Sequence, residues 1–160
     1  REMRMLWSAY LVAVDGREVA RFGESVDIAP ECATYGGRAE CLLPNEGSIW
    51  ILRLCLHDGR GGVLSGNEYF FSTAQPPFQP MLNAPTTRLR VWHRGGQVGV
   101  KNVGEAVALF VRFLPHDGQW LLCEDNYFCL LPGETRLLNL VGGGTVVVEA
   151  WNSDSHHVHL

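Results

Sequence analysis

The chain has 160 residues, of which 46% are hydrophobic and 19% charged, and its formal net charge is −4 at pH 7. This length suits one ordinary domain or two small ones, and the composition is that of a folded globular protein. Because the thirteen basic residues are scattered and no apolar run approaches the roughly 20 residues of a membrane helix, neither nucleic acid nor a membrane is expected as a partner.

The first half of the chain has the two-residue hydrophobic period of β-strands and no convincing helical period. The segments with this pattern are 7–14, 18–22, 25–29, 38–43, 49–56 and 67–72. Asp15-Gly16 supplies the turn of a first hairpin. In segment 49–56 the even-numbered residues, from Trp50 to Leu56, are all apolar, so this face is expected to contact a core.

Three prolines within 76–80 mark the clearest boundary, because proline cannot continue a sheet ladder and favours an extended connector. We therefore expect a first sandwich at 1–74, a Pro-rich linker at 75–86, a second sandwich at 87–152 and a polar tail at 153–160. The chain starts without an initiator Met, so the first sandwich is a candidate for N-terminal truncation.

The second half continues the strand pattern at a spacing typical of an immunoglobulin-like sandwich, about seven strands within roughly 70 residues. Its segments are 87–93, 97–102, 106–114, 120–123, 127–131, 134–140 and 145–151. The segment 106–114 is apolar on two faces, and one of these faces is predicted to hold Val107, Leu109, Val111 and Phe113. The predicted fold class is all-β, with two tandem immunoglobulin-like antiparallel β-sandwiches.

A His-Asp-Gly tripeptide at 57–59 recurs at 116–118, and a Leu and an Asn follow it in both copies at a displacement of about 59 residues. A histidine beside an aspartate could be a base with its orienting partner. Neighbouring strand-end side chains point to opposite sides, however, and no Gly-x-Ser-x-Gly supplies a nucleophile. We interpret both copies as hairpin turns, for which Asp followed by Gly is typical.

The Asn-Glu pairs at 45–46 and 67–68 have the form in which some glycosidases carry an acid/base carboxylate. Such hydrolysis needs two opposed carboxylates. Glu46 lies in a polar turn, and Glu68 has no counterpart in the second copy of the repeat. We therefore predict no catalytic residue. The glycines at 142–144 precede a strand rather than a helix, so they do not form a phosphate cradle, and no cofactor is predicted.

Five cysteines leave one unpaired in any full disulfide scheme, and none form a Cys-x-x-Cys pair. Cys55 and Cys123 lie in apolar strand patterns and are expected to be buried thiols. A Cys32–Cys41 bridge stays open as an alternative, so the cysteines do not decide the compartment.

Histidines are concentrated near the end of the chain, at 156, 157 and 159, where they could bind a metal by composition. They follow the polar stretch 152–155, so we expect a flexible tail and predict no metal site.

Four aromatic residues of the second half are candidates for a sugar-stacking, substrate-binding platform: Trp92, Trp120, Tyr127 and Trp151. Aromatic residues at sandwich positions more often pack in the core. The sequence does not show which of them are exposed, so the packing interpretation is preferred and the four residues are kept as candidates.

The run Asn-Glu-Tyr-Phe-Phe-Ser at 67–72 resembles the Asn-x-Tyr-x-Phe-Leu-Ser run of glycoside hydrolase family 2 β-mannosidases, where it lies in an immunoglobulin-like domain behind the catalytic barrel. Segment 124–135 is similar to the Ser-Asp-Asn-Tyr-Phe-x-Leu-Leu-Pro-Gly-Glu segment in the C-terminal domain of that family and of its exo-β-glucosaminidase relatives. Trp7-Ser8 resembles the Trp-Ser that opens the preceding sandwich. The resemblance keeps its order from about Trp7 to Trp151.

This resemblance implies a non-catalytic accessory region of a retaining glycosidase that releases terminal β-D-mannose, with a catalytic (β/α)8 barrel as its partner. Such a barrel needs about 250 residues, so the catalytic residues of the family have no match in this chain. Two alternatives stay open: an autonomous carbohydrate-binding module with an oligosaccharide ligand, and an immunoglobulin-like tandem for protein interaction or adhesion. The parent's exact glycoside, the localisation and the oligomeric state are left undecided, since a fold alone does not choose between substrates.

Overall fold

The computed structural model describes residues 3–44, 47–116 and 118–160. Within these ranges the chain is all-β apart from one short 3₁₀ helix at Gln79–Asn83, which lies inside the stretch expected to be an extended connector. The strand pairs are antiparallel, which confirms the predicted fold class. No helix in the described part of the chain is long and apolar enough to cross a membrane.

The first compact unit, Arg1–Asn83, contains one four-stranded sheet in its described part. In the order β2-β1-β3-β4, its strands are β1 (Met3–Ala13), β2 (Glu18–Ile28), β3 (Ile49–His57) and β4 (Val63–Ser72). The β1–β2 hairpin is confirmed. The predicted strands 18–22 and 25–29 are a single strand, because β1 is long enough to pair with both, without interruption from Ala20 to Ile28.

The two faces of this sheet differ in polarity. The β1–β3 register puts Trp7, Ala9 and Leu11 beside the even-numbered leucines of β3, which confirms the predicted apolar face. Trp50, on the same face, is fully buried and packs in a cluster with Leu11 and Ala13. The other face carries the ion pair between Arg53 and Glu68.

The predicted strand at 38–43 is wrong, because this segment is irregular and lies over the apolar face. The indole Nε1 of Trp7 donates a hydrogen bond to the Gly36 carbonyl. At Gly37, where φ is +129°, a Cβ would lie 3.0 Å from Cζ2 of Trp7. The chain thus passes close to the indole in a conformation that favours glycine, and this approach replaces strand pairing.

The second unit, Ala84–Leu160, is a two-sheet sandwich with strand orders β5-β6-β10-β8 and β12-β11-β7-β9. Its strands are β5 (Leu89–Arg94), β6 (Gln97–Asn102), β7 (Ala108–Pro115), β8 (Leu121–Cys123), β9 (Phe128–Leu130), β10 (Thr135–Gly142), β11 (Thr145–Glu149) and β12 (His156–His159). Side chains from both sheets form one buried core between them, as expected for an antiparallel sandwich.

Strand β7 contains a bulge at residues 109 and 110. Ala108 pairs with Leu130 and Val111 pairs with Phe128, so two residues of β7 lie opposite one residue of β9. Phe110 has a φ of +51° at this point. Ala108 and Val111 both face the core, so the predicted common face of Val107, Leu109, Val111 and Phe113 is wrong. The inserted residue separates the first two from the last two.

Strand β12 occupies half of the expected tail at 153–160. It pairs with β11, and Val158 packs into the core between the exposed residues His157 and His159. The expectation of a flexible tail is therefore wrong for His156–His159. The sequence pattern did not predict this strand, because three of its four residues are histidines and only Val158 is apolar.

The two His-Asp-Gly copies occupy different structural positions. In the first copy Asp58 Oδ1 accepts the N–H groups of Arg60 and Gly62 at 2.8 Å each, which closes the β3–β4 hairpin and confirms the turn. In the second copy the chain leaves β7 in one sheet and enters β8 in the other. The second copy is therefore not a hairpin within one sheet, and Asp117 lies outside the described residues.

The motif that carries the resemblance owes its residues to backbone geometry. The Asn126 side chain accepts the N–H of Phe113 through Oδ1 at 2.9 Å and donates to the carbonyl of the same residue at 3.2 Å. Glu134 accepts the N–H of Leu131 at 2.8 Å, and Gly133 has a φ of +78°. The Asn126 side chain thus pairs with the backbone of Phe113 as a neighbouring strand would. The Leu-Pro-Gly-Glu segment forms a turn.

A buried asparagine, Asn152, joins three chain segments of this unit. Asn152 donates through Nδ2 to the carbonyls of Pro85 and Val107, at 2.6 and 2.9 Å. Its Oδ1 accepts the N–H of Leu109 at 3.0 Å. Since the side chain is 7% exposed and its hydrogen bonds are made, it stabilises the start of β7.

Candidate functional site

Three of the four aromatic candidates lie outside the core. Trp120, Tyr127 and Trp151 are 68%, 57% and 59% exposed, while Trp92 is half-buried. The structure places Trp92 and Trp120 with the first sheet of the sandwich and Tyr127 and Trp151 with the second. The packing interpretation holds for Trp92 and fails for the other three.

Trp92 packs against a glycine on the neighbouring strand. The register puts it opposite Gly99, where a Cβ would lie 2.2 Å from the indole Cε2. Leu137 lies on the other side of Gly99 in the same sheet. The indole of Trp92 therefore packs flat on the neighbouring strand of its sheet, which leaves little of the ring for a ligand.

Trp120 stands just before β8, at one end of an outer sheet face with several exposed apolar side chains. We call this set the outer apolar patch and define it as Trp120, Leu122, Leu137 and Val141. Leu122 and Val141 are paired residues of β8 and β10, 64% and 55% exposed. Their sequence neighbours pack on the core, so these side chains point away from it.

Tyr127 begins a row of side chains across the outer face of the second sheet. Its N–H donates to the Val111 carbonyl at 2.8 Å, which places it beside Arg112 on β7. Arg112 is in turn paired with Glu149 of β11. The residues on either side of Arg112 belong to the core, so the row faces outward.

An ion pair lies at the centre of this row. Arg112 Nε donates to Glu149 Oε1 at 2.8 Å, and the side chains are 44% and 24% exposed. The hydrogen bond with Glu149 raises the pKa of Arg112, and the Tyr127 phenol adds to this by its proximity and its own hydrogen bond. The guanidinium is therefore always charged. An ion pair this exposed contributes little to the free energy of unfolding, so fold stability does not explain why these two charges lie here.

Trp151 lies in the turn that follows β11, two residues beyond Glu149. Its N–H donates to the Leu109 carbonyl at 2.7 Å, which holds this turn beside β7. The preceding residue, Ala150, packs in the core, whereas Trp151 is 59% exposed. We define the outer aromatic row as Tyr127, Arg112, Glu149 and Trp151.

The sequence predicted the two aromatic members of this row and missed the two charged ones. The available signal was a charge within an otherwise apolar strand pattern, at Arg112 and again at Glu149. Their pairing depends on the β7–β11 register, which the sequence does not give.

A cavity of about 510 Å³ opens on the apolar face of the first unit. Its walls come from the sheet, with Trp7, Phe22, Leu54 and Phe71, and from the irregular segment containing Gly36. The volume is that of a small-molecule site, but none of the residues that line it is charged. It offers an apolar surface without acid/base groups, and none of the aromatic candidates contributes to it.

Glu68 has a structural partner. Arg53 donates to Glu68 Oε1 through Nε at 2.9 Å and through Nη2 at 2.6 Å, and the side chains are only 14% and 21% exposed. The carboxylate is thus held in an ion pair on the polar face of the first sheet. The Asn-Glu pair at 45–46 lies outside the described residues.

The described part of the chain contains no group of three His, Cys, Asp or Glu side chains able to hold a metal ion. Near the terminal histidines, the rings of His116 and His157 lie 5.2 Å apart, edge to face. His93 makes a 3.1 Å hydrogen bond through Nδ1 to the carbonyl of His159. These histidines are thus placed by β12 and its neighbours.

All five cysteines are free thiols. Cys32 and Cys41 are both exposed and unbridged, so the alternative disulfide is not formed. Cys55 and Cys123 are half-buried rather than fully buried. Desolvation raises the pKa of Cys123, although its thiol donates a hydrogen bond to the Asp125 carbonyl at 2.7 Å.

The chain matches known proteins in fold but not in sequence. No protein-family model matches the chain, and no curated protein matches it by sequence. Among solved structures, an exo-chitosanase of Amycolatopsis orientalis matches with a TM-score of 0.77 at 17% identity, over 100% of this chain and 24% of that chain. The same exo-chitosanase in complex with PNP-β-D-glucosamine matches with a TM-score of 0.74. A β-D-mannosidase from Dictyoglomus thermophilum matches with a TM-score of 0.55 at 14% identity, over 96% of this chain and 19% of that chain.

These likenesses define the class of the protein as an all-β chain with the fold of part of these two enzymes. The chain spans less than a quarter of the length of either. In both, the matching region is one piece of a much longer polypeptide. At these identities the likeness concerns the fold, and what the enzymes act on is a property of those proteins.

Proposed function

We propose that the chain is a non-catalytic C-terminal accessory region of a glycoside hydrolase of family 2, attached to a catalytic (β/α)8 barrel. One observation carries this proposal: the whole chain matches 24% of the exo-chitosanase with a TM-score of 0.77. Full coverage of the chain supports a likeness that includes both units in their order along the chain, rather than a chance likeness of single sheets. The resemblance of segments 67–72 and 124–135 to family 2 sequences points the same way.

The chemistry of the described side chains fits an accessory role. The glycosidase mechanism needs two carboxylates facing one another across a substrate. Glu68 is occupied by Arg53, Glu149 by Arg112, and Asp58 by backbone N–H groups of its turn. Each of these acids therefore has a structural partner.

For the parent enzyme, β-D-mannoside is the substrate we propose first, and β-D-glucosaminide is the second. The sequence resemblance supports the mannosidase through the run at 67–72. The higher TM-score of the exo-chitosanase supports the glucosaminidase. A fold does not choose between them, so the assay must include both substrates.

The outer apolar patch supports contact with a further protein surface. Trp120, Leu122, Leu137 and Val141 are each more than half exposed, whereas outward-facing strand residues of an antiparallel sandwich are normally polar. We propose the barrel of the parent chain as the partner that covers this patch, because the matched enzymes carry most of their length outside the region equivalent to this chain.

Two measurements test the proposal. The purified chain is expected to release no p-nitrophenol from p-nitrophenyl β-D-mannoside or β-D-glucosaminide, and turnover that survives repurification would contradict a non-catalytic role. The complete coding sequence is expected to encode a barrel of about 250 residues in the same polypeptide. A complete coding sequence without such a barrel would instead favour the adhesion or carbohydrate-binding alternatives.

A further inference from the structure

We propose that the outer aromatic row binds a neutral β-linked oligosaccharide of three pyranose units. Tyr127 and Trp151 would stack on sugar rings, and the Arg112–Glu149 pair would hydrogen-bond hydroxyl groups between them. An accessory region does not need such a site to support a barrel, so this inference goes beyond the proposed function.

The two aromatic side chains have the exposure and placement that stacking requires. They are 57% and 59% exposed, and the backbone of each is hydrogen-bonded to β7, at Val111 for Tyr127 and at Leu109 for Trp151. Tyr127 is on the β9 side of β7 and Trp151 is on the β11 side. Because neighbouring strands are about 4.8 Å apart, the two positions are separated by about 10 Å across β7. This separation is about twice the spacing of consecutive β-linked rings, so it matches the first and third rings of a trisaccharide, whose C–H faces are apolar and pack on aromatic rings.

The polar groups between the rings suit hydroxyl recognition. Arg112 Nε and Nη2 both donate to Glu149 Oε1. A carboxylate has about four acceptor sites and a guanidinium has five N–H donors, so the pair has further capacity to bind hydroxyl groups. Since the two charges cancel, the row selects for a neutral ligand rather than for an anion or a cation.

The backbone at this row provides an independent indication. Tyr127 has a φ of +63° and Phe110, on the adjoining bulge, a φ of +51°. Bulky residues rarely adopt this left-handed region, where glycine or asparagine would be unstrained. Packing does not require a tyrosine here, because its side chain is more than half exposed. Strained, exposed side chains concentrate at ligand sites, which favours a binding role for this ring.

The test is a titration of the full chain with mannotriose, cellotriose and N,N′,N″-triacetylchitotriose, followed by isothermal calorimetry and tryptophan fluorescence. We expect saturable binding of at least one of these sugars, with little change up to 0.5 M NaCl because the ligand is neutral. Trp151→Ala is expected to weaken binding about ten-fold. The matched control is Trp120→Ala, which removes an equally exposed indole from the other sheet and is expected to change the affinity less than about two-fold.

Tyr127→Gly separates binding from folding. Glycine relieves the positive φ, so this variant is expected to keep the wild-type thermal midpoint or exceed it while losing sugar binding. Absence of saturable binding to all three sugars would overturn the proposal, as would unchanged affinity in Trp151→Ala and Tyr127→Gly, or binding that disappears in salt. The titration measures neither turnover nor a barrel, so its failure would leave the proposed function untouched.

Discussion

The indole of Trp92 lies directly over the backbone of Gly99, with Cε2 2.2 Å from the position that a Cβ on residue 99 would take. We expect Gly99→Ala to displace the indole and to lower the free energy of unfolding by about 1–3 kcal/mol, the usual cost of overpacking. Urea denaturation followed by tryptophan fluorescence measures this change. Gly143→Ala is the control, because the nearest atom to its Cβ would be 3.7 Å away. Equal destabilisation by both variants would contradict the contact.

Asn152 is expected to tolerate no replacement that removes its donors. In Asn152→Asp the carboxylate faces the Pro85 and Val107 carbonyls, which now accept nothing, so we expect a loss of about 3 kcal/mol in the free energy of unfolding. The same exchange in reverse two residues later, Asp154→Asn, changes an exposed side chain and should alter stability by less than about 0.5 kcal/mol. Thermal unfolding of both variants at pH 7 makes the comparison, and a stable Asn152→Asp would refute the bridging role.

The Arg53–Glu68 pair is expected to stabilise the first unit more than the Arg21–Glu18 pair does. The former is 14% and 21% exposed, and the latter is 62% and 44% exposed. Glu68→Gln removes the negative charge beside the half-buried guanidinium of Arg53. This change should lower the free energy of unfolding by about 1–3 kcal/mol. Glu18→Gln should have no measurable effect, since solvent screens that pair. A double-mutant cycle with Arg53→Met isolates the coupling, and a coupling near zero would contradict the prediction.

Val158 is expected to contribute to the core although three histidines surround it. Val158→Ala removes two buried methyl groups and should lower the free energy of unfolding by about 1–3 kcal/mol. The neighbouring His159→Ala alters an exposed side chain and should be close to neutral. If residues 153–160 were a loose tail, both variants would unfold like the wild type in urea.

The cysteines should react at different rates. A raised pKa leaves less thiolate at a given pH, so iodoacetamide should label Cys123 more slowly than the exposed residues Cys32 and Cys41 at pH 8. The labelling of Cys123 should increase at a higher pH than that of an ordinary thiol. Peptide mapping by mass spectrometry measures each site. Equal labelling of Cys123 and Cys32 in the folded protein would contradict the burial argument.

Periodicity predicted the first unit where local pattern was sufficient. The β1–β2 hairpin needs only Asp15-Gly16 between two apolar runs, and the apolar face of β3 needs only alternation. The prediction of a strand at 38–43 failed because its apolar residues, Ala39, Cys41 and Leu43, line the cavity of the first unit within an irregular segment. Two-residue alternation does not show whether a partner strand is present.

In the second unit the missed features all depend on pairing between distant residues. The bulge at Phe110 is defined by β9, β12 is defined by β11, and the Arg112–Glu149 pair is defined by a register 37 residues apart in sequence. The aromatic candidates Tyr127 and Trp151 came from composition alone. Their exposure follows from left-handed backbone and strand ends, which composition does not encode.

The bulge in β7 decides which chemistry faces water. Up to Ala108 the even-numbered side chains of this strand point inward, and from Val111 onward the odd-numbered ones do. If the same residues alternated without the bulge, the inward positions after Ala108 would be 110, 112 and 114. Arg112 would then lie among core valines, and Phe113 would face solvent. The inserted residue therefore places Ala108, Val111 and Phe113 on the core side and Arg112 on the solvent side.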